Sequence, residues 1–338
     1  MGGEVGEGAA RGEGAEGGEG GARGEGGEGG EVGEGGRAAR AARRRGREGS
    51  VSVSEGSVAA GVVAVLGLGE AGSAIGRDLL AAGVVVRGYD PVVAALEGMV
   101  ATSSDAEACA GADLVLSLTT AHEAEAAFRA SVPGLSPGVL FADLNTSAAD
   151  LKQRLAVMAD QRGIAFADVA MMAPVPGRGI RTPMLVSGDA AVAVAAALTS
   201  LGGNAEVISG PAGAAASRKL CRSVFYKGMA AAVVESLRAG RAAGCEGWLR
   251  ENIAGDIGTD MLDRLEQGSI KHAARRTDEM AAATELLGEL GIPARIAAAS
   301  RDWLAQLTEE NRSSVARATQ DAADDLSPSG QPGSRNSA

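Results

Sequence analysis

Aromatic residues are scarce: the 338-residue chain has two Trp, two Tyr and four Phe. Histidine and cysteine are scarcer still relative to need, with His122 and His272 far apart and Cys109, Cys221 and Cys245 in no paired spacing. That supply argues against a His/Cys metal site and against a disulfide framework, so no metal is expected and a reducing, cytoplasmic setting is. No apolar run approaches the roughly 18 residues of a membrane span, and the start lacks the apolar core of a secretory signal. A net charge of -11 leaves neither nucleic acid nor an anionic membrane surface as an expected partner. Lysine is nearly absent. Lys152, Lys219, Lys227 and Lys271 stand against 28 arginines. Arginine keeps its proton in a protein whereas a buried lysine can lose it, so a site that shuttles a proton through an amine cannot drift to arginine.

Hydrophobic residues make up 45% of the chain, enough for real cores. Residues 1–57 are Gly/Glu-rich with an arginine cluster at Arg43–Arg45, and little in them can be buried; a disordered tail is expected, with a native start nearer Val58. From 58 to 209 apolar runs alternate with helical patterns: Val62–Leu66, Val84–Tyr89, Ala112–Leu118, Val139–Leu144, Ile164–Val169, Met184–Ser187 and Glu206–Ile208 read as strands. This predicts an α/β domain with a Rossmann-type, mostly parallel sheet. From 210 to 326 the pattern is helical throughout, opening with one long helix over Gly213–Ala243, with turns expected near Gly244, Gly268 and Gly291–Pro293. That segment is expected to be an all-α domain for substrate and dimerisation, followed by a disordered tail at 327–338.

The strongest local signal is Gly67-Leu68-Gly69-Glu70-Ala71-Gly72, set between the first strand and a helix, with Asp90 ending the next strand. Glycines in that spacing allow a tight turn, a close backbone approach to a pyrophosphate and tight helix–strand packing. All six residues and Asp90 are therefore candidate cofactor contacts. An acid at position 90 bonds ribose hydroxyls and repels a 2′-phosphate, which favours NAD; Arg87, three residues earlier, leaves NADP possible. Thr119 and Thr120 follow a strand end, where they serve either the cofactor or a helix cap. On the long helix, Lys219, Ser223, Tyr226 and Lys227 share one side amid apolar neighbours, the pattern of a pocket at a domain junction or of lysines reaching to solvent. Asp168 reads as structural, and the two histidines as surface residues.

Taken together, these stretches resemble the β-hydroxyacid dehydrogenases, a family that includes 3-hydroxyisobutyrate and 6-phosphogluconate dehydrogenases. The branch resembled is the phosphogluconate-dehydrogenase-like one of uncertain substrate, on Arg218-Lys219-Leu220, Ser223-Val224-Phe225 and Arg275-Arg276 before Glu279-Met280. The resemblance implies that Asn145, within Asp143–Ser147, lies near the nicotinamide, and that Ala173–Gly179, with Pro176, Gly177 and Arg178, is a substrate loop. It implies that Lys219 is the general acid/base, with a pKa lowered by desolvation or positive neighbours. Two departures stand out: Pro176 where the family has a carboxylate-binding serine, and Ser223 where it has an asparagine. Arg178, Arg181, Arg275 and Arg276 are candidates to hold an anionic substrate in compensation, or else to be solvated or paired with Asp278 and Glu279. The function implied is an NAD(P)-dependent oxidoreductase of a small hydroxy acid or its oxo form, in a homodimer joined through the helical domain. The alternatives are a dinucleotide-binding sensor without turnover and an imine reductase of similar architecture.

Overall fold

The computed structural model describes residues 61–325, all within one compact unit. The two terminal tails expected from composition lie outside the described residues. Continuous apolar runs make buried strands, because a parallel sheet covered on both faces needs apolar residues at every position. The strands are β1 (Val62–Leu66), β2 (Val85–Tyr89), β3 (Val100–Ala101), β4 (Leu114–Ser117), β5 (Leu140–Asp143), β6 (Ala165–Met171), β7 (Pro183–Ser187) and β8 (Asn204–Val207). They form one sheet in the order β3-β2-β1-β4-β5-β6-β7-β8, parallel except where β7 runs against β6. β1 is flanked by β2 on one side and β4 on the other, so the strand order reverses there. The crevice at the C-terminal ends of β1 and β4 is where such sheets hold ligands.

Successive residues of β1 feed opposite cores. Val63 and Val65 pack with Ile75, Leu79, Val186, Val194 and Leu198, on the side of α1 (Glu70–Ala81) and α5 (Ala191–Ser200). Ala64 and Leu66 join Phe128, Phe141, Leu155 and Phe166, on the side of α2 (Asp105–Cys109), α3 (Ala124–Ser131) and α4 (Ala149–Asp160). Three of the four phenylalanines are spent here: Phe128 meets Phe141 edge-on at 5.0 Å, and Phe141 stacks on Phe166 at 6.0 Å. Each such pair adds about 0.5–1.5 kcal/mol beyond area burial.

The remaining chain is helical: α6 (Ala214–Ala242), α7 (Glu246–Ile257), α8 (Thr259–Lys271), α9 (Ala273–Glu289) and α10 (Arg295–Asp325). α6 packs on β6 at its start and on α8, α9 and α10 further along. Leu220 of α6 joins Met280, Ala283, Leu286 and Leu304, and Val233 and Leu237 join Leu262 and Leu265. Breaks fall at Gly244 and Gly291 as the sequence suggests, but Gly268 is a correction. It lies inside α8, and the break comes at His272. A Cβ at Gly268 would stand 2.8 Å from the Arg276 guanidinium, so this glycine makes room for a side chain rather than a turn.

Candidate active site

The glycine turn has the form that the spacing predicts. Gly67 adopts φ +89°, and a Cβ there would lie 2.6 Å from the Leu118 carbonyl oxygen; at Gly72 it would lie 1.9 Å from the Gly67 carbonyl. At Gly69 the same position is open space, with nothing within 4 Å. α1 starts at Glu70 without a side-chain cap, which leaves its first N–H groups without a capping side chain, an arrangement suited to phosphate. Asp90 ties the turn to β2: its carboxylate accepts from the Leu68 N–H at 2.8 Å and from Val92 and Val93 at 2.8 and 2.9 Å. Partial burial pushes this carboxyl up, but the three N–H donors outweigh it and its pKa is lowered. Arg87 is turned away from this work. Its Nη1 donates to the Ala110 carbonyl at 2.8 Å, so the arginine that left NADP open is committed elsewhere. Asp105, first residue of α2, adds a second acid near Asp90: burial first, then the Asp90 charge, raises its pKa.

The ends of β4 and β5 meet through side chains. Asn145 donates to Ser117 Oγ at 3.0 Å and to Asp143, and Thr119 lies 3.4 Å from the Asn145 side-chain oxygen. Thr120 accepts from the Glu123 N–H at 3.3 Å, serving the turn before α3. Ser147, also buried, has a hydroxyl with no partner among the described residues. A buried hydroxyl unmatched by protein fits a site that takes a polar ligand.

Behind this edge lies a sealed charge cluster. The Lys152 ammonium, fully buried, sits 3.1 Å from Asp143 Oδ2 and 3.2 Å from Asp168 Oδ1, and donates to the Asp143 carbonyl at 2.9 Å. Asp168 also accepts from the Gly213 and Ala216 N–H groups at 3.0 and 2.9 Å, and Ser187 Oγ from Ala215 at 3.0 Å. These bonds satisfy the first turn of α6 and fix that helix to the sheet. Burial opposes the Lys152 charge, but Asp143 and then Asp168 outweigh it, and its pKa is raised. Asp143, which shares that one cation, is raised, mainly by burial.

Less than two turns along α6, Lys219 donates to Thr146 Oγ1 at 2.6 Å, at the β5 end of the crevice. Desolvation lowers its pKa to about 8. Glu279 opposes that shift, while Lys227, Lys152 and Arg275 add to it. Ser223 and Lys227 both donate to Glu279 Oε1, Lys227 at 3.0 Å. Against burial, Lys227 and Lys219 pull Glu279 down to about 2. Glu279 is the residue that sequence reasoning missed, having been weighed only as a partner for arginine. The available signal was its place beside Met280, one stripe with Ala283 and Leu286, where an acid needs a cation.

Other candidates are not gathered here. Arg178 is exposed and bonds back to Pro174 at 3.5 Å, and Pro176 and Gly177 are exposed with it. The loop's far end is held by Asp78 of α1, which accepts from the Ile180 N–H at 2.9 Å. Arg276 donates to Ser269 Oγ at 2.7 Å, and Asp278 lies 3.3 Å from His122. The pairing of these arginines with Asp278 and Glu279 weighed from sequence is not what forms: Glu279 pairs with Lys227, and Asp278 lies against His122. Lys271 lies 3.1 Å from Glu70 of the glycine turn, so this pair and the His122–Asp278 contact both reach from the first domain to the C-terminal helices. Among the described residues no three His, Cys, Asp or Glu side chains gather as a metal site, and no helix is long and apolar enough to cross a membrane.

Comparison with known proteins bears on this arrangement. Residues 62–210 match the NAD binding domain of 6-phosphogluconate dehydrogenase, and residues 241–307 match a domain of unknown function, DUF1932. The chain is 29% identical over 195 residues to an NAD-dependent L-serine dehydrogenase of Pseudomonas aeruginosa, covering 54% of this chain and 65% of that protein. The chain belongs to the β-hydroxyacid dehydrogenase family. A "Probable 3-hydroxyisobutyrate dehydrogenase" of Mycobacterium bovis is another family relative, 28% identical over 52% of this chain and 62% of its own length. The match thus spans less than two thirds of either relative. Among solved structures, a conserved hypothetical protein of Sinorhizobium meliloti 1021 is 30% identical, covering 72% of this chain and 87% of that one with a TM-score of 0.56. The 3-hydroxyisobutyrate dehydrogenase of Mycobacterium tuberculosis shares the fold at 22% identity, 74% and 94% coverage and a TM-score of 0.61. The sheet domain over 62–210 is thus of a dinucleotide-binding type described as NAD-binding.

Proposed function

We propose that this chain is an NAD-dependent oxidoreductase that moves a hydride between nicotinamide and a small, anionic hydroxy acid or its oxo form, with Lys219 as general acid/base. The observation that carries this reading is the Lys219 amine, lowered to about 8 and bonded to Thr146 at the edge of the crevice that the glycine turn opens. A group titrating near neutrality suits proton transfer, which contributes about 10²–10⁴-fold in rate. Bound NAD supplies the hydride acceptor at nicotinamide C4. The residues that would hold it are the glycine turn and Asp90 at the adenosine end, and Thr119, Asn145 and Ser147 at the other. In oxidation, neutral Lys219 takes the hydroxyl proton as the substrate C–H electron pair leaves with the hydride; in reduction, protonated Lys219 returns a proton to the new alkoxide oxygen. Asp90 and Asp105 together disfavour a 2′-phosphate. Lys227, with Arg276 and Arg275 near it, is the group proposed to meet the substrate's anionic end; the Arg178 loop would have to move in to join it.

The division of labour follows the chain: 58–209 for the cofactor, 210–326 for substrate and self-association. A homodimer through the helices would cover Phe225, Trp248 and Ile296, all of them well exposed; sedimentation as a monomer at micromolar concentration contradicts it. The activity test is oxidation of NADH across oxo acids, semialdehydes and cyclic imines by wild type and Lys219→Ala. Turnover of an oxo acid that falls about 10²–10⁴-fold in the variant supports the reading. Full activity in the variant overturns the mechanism, cyclic imines as sole substrates point to an imine reductase, and cofactor binding without any turnover points to a sensor.

A further inference from the structure

Ser223 and Lys227 lie one turn apart on α6 and converge on a single oxygen of Glu279, which comes from α9. Ser223 is 4% exposed and Glu279 8%, so water competes little for these bonds. A serine hydroxyl has one proton. Having given it to the carboxylate, Ser223 meets anything else as an acceptor only, whereas the asparagine of the family pattern offers both a donor and an acceptor. We propose that Glu279 is a positioning residue of the site: it orients Ser223 as an acceptor, holds Lys227 as a cation, and keeps a negative charge opposite Lys219.

The surroundings of the two lysines define what that charge does. Facing Lys219 are Glu279 and Arg275 from α9, Lys152 from α4 and Lys227 from its own helix. Facing Lys227 are Glu279, Arg276 and Arg275. Glu279 is the acid that acts most strongly on both lysines. Without its charge, the balance at Lys219 shifts toward its cationic neighbours and it gives up its proton more readily. Without Lys227, one of those cations is gone and Glu279 has Lys219 as its remaining lysine partner, so Lys219 holds its proton more firmly. The two removals therefore move Lys219 in opposite directions, a pattern that loss of packing does not produce.

The consequence for turnover rests on the dehydrogenase reading, but the arrangement itself does not. With four lysines in the chain, ¹³Cε-labelled lysine gives a spectrum that single substitutions can assign. The full-length protein is titrated without substrate. In Glu279→Gln the Lys219 midpoint is expected to fall by about one pH unit. In Lys227→Met it is expected to rise, and this variant decides the matter if Glu279→Gln does not fold. A Lys219 midpoint unchanged or raised in Glu279→Gln, or unchanged or lowered in Lys227→Met, overturns the proposal. No turnover on any substrate overturns the dehydrogenase reading and leaves this titration standing.

Discussion

Two lysine–carboxylate clusters lie on either side of the α6 N-terminus, and they treat their lysines in opposite ways. Lys152 has a carboxylate on each side, no access to solvent and a raised pKa. Lys219 has a neutral hydroxyl as its hydrogen-bond partner, three cations among its neighbours and a pKa lowered to about 8. Burial works against the charge in both. What differs is the partner: Lys152 is ion-paired to two carboxylates, whereas Lys219 bonds a hydroxyl, and the Glu279 carboxylate that acts on it is held by Lys227 and Ser223. The first cluster therefore holds its proton and anchors the helix; in the proposed function the second is the one that exchanges a proton. Because Asp168 accepts from Gly213 and Ala216, the anchored cluster also sets where Lys219 stands, less than two turns further on.

This contrast can be broken on stability first. Lys152→Met removes the cation between two buried carboxylates, and leaving such charges unpaired costs about 3–5 kcal/mol. The expected result is an unchanged slope and a urea midpoint lowered by that loss divided by the slope. Lys219→Met is expected to do the reverse on a smaller scale. A lysine whose folded pKa lies below its unfolded value weakens the fold while protonated, so at pH 7 its removal stabilises, and the gain shrinks as pH rises from about 8 toward 10.5. Partial exposure of Lys219 reduces the size of that gain but not its sign. Equal destabilisation by both substitutions would mean that the two clusters do the same job.

Much of the fold was legible because it rests on local pattern. The apolar runs of β1, β4 and β5 are too continuous for anything but a covered parallel strand, and the glycine turn follows from sterics at Gly67 and Gly72. β3 was missed, since two residues carry no periodicity, and so was α3, whose eight residues follow a run without a clear cap. Gly268 misled because a glycine that accommodates Arg276 looks the same in sequence as one that ends a helix. In the candidate site, Lys219 and Ser223 were legible because they lie on one helix at a spacing of four. Glu279 was not, because it stands 56 residues from Ser223 and reaches it only through the packing of α9 on α6. Asp168 was read as structural, but its partnership with Lys152 escaped for the same reason: the partners come from β5, α4 and the start of α6, which only the folded sheet brings together. Local spacing shows which residues share a face; it does not show what that face meets.

The most direct test of Lys219 as the proton-exchanging group is the pH dependence of kcat/KM with NAD and the hydroxy acid that the substrate panel selects. The account predicts that oxidation rises with pH along a limb near 8, that reduction with NADH falls along the same limb, and that Lys219→Arg, which cannot deprotonate, abolishes it. A limb that persists unchanged in Lys219→Arg would contradict it.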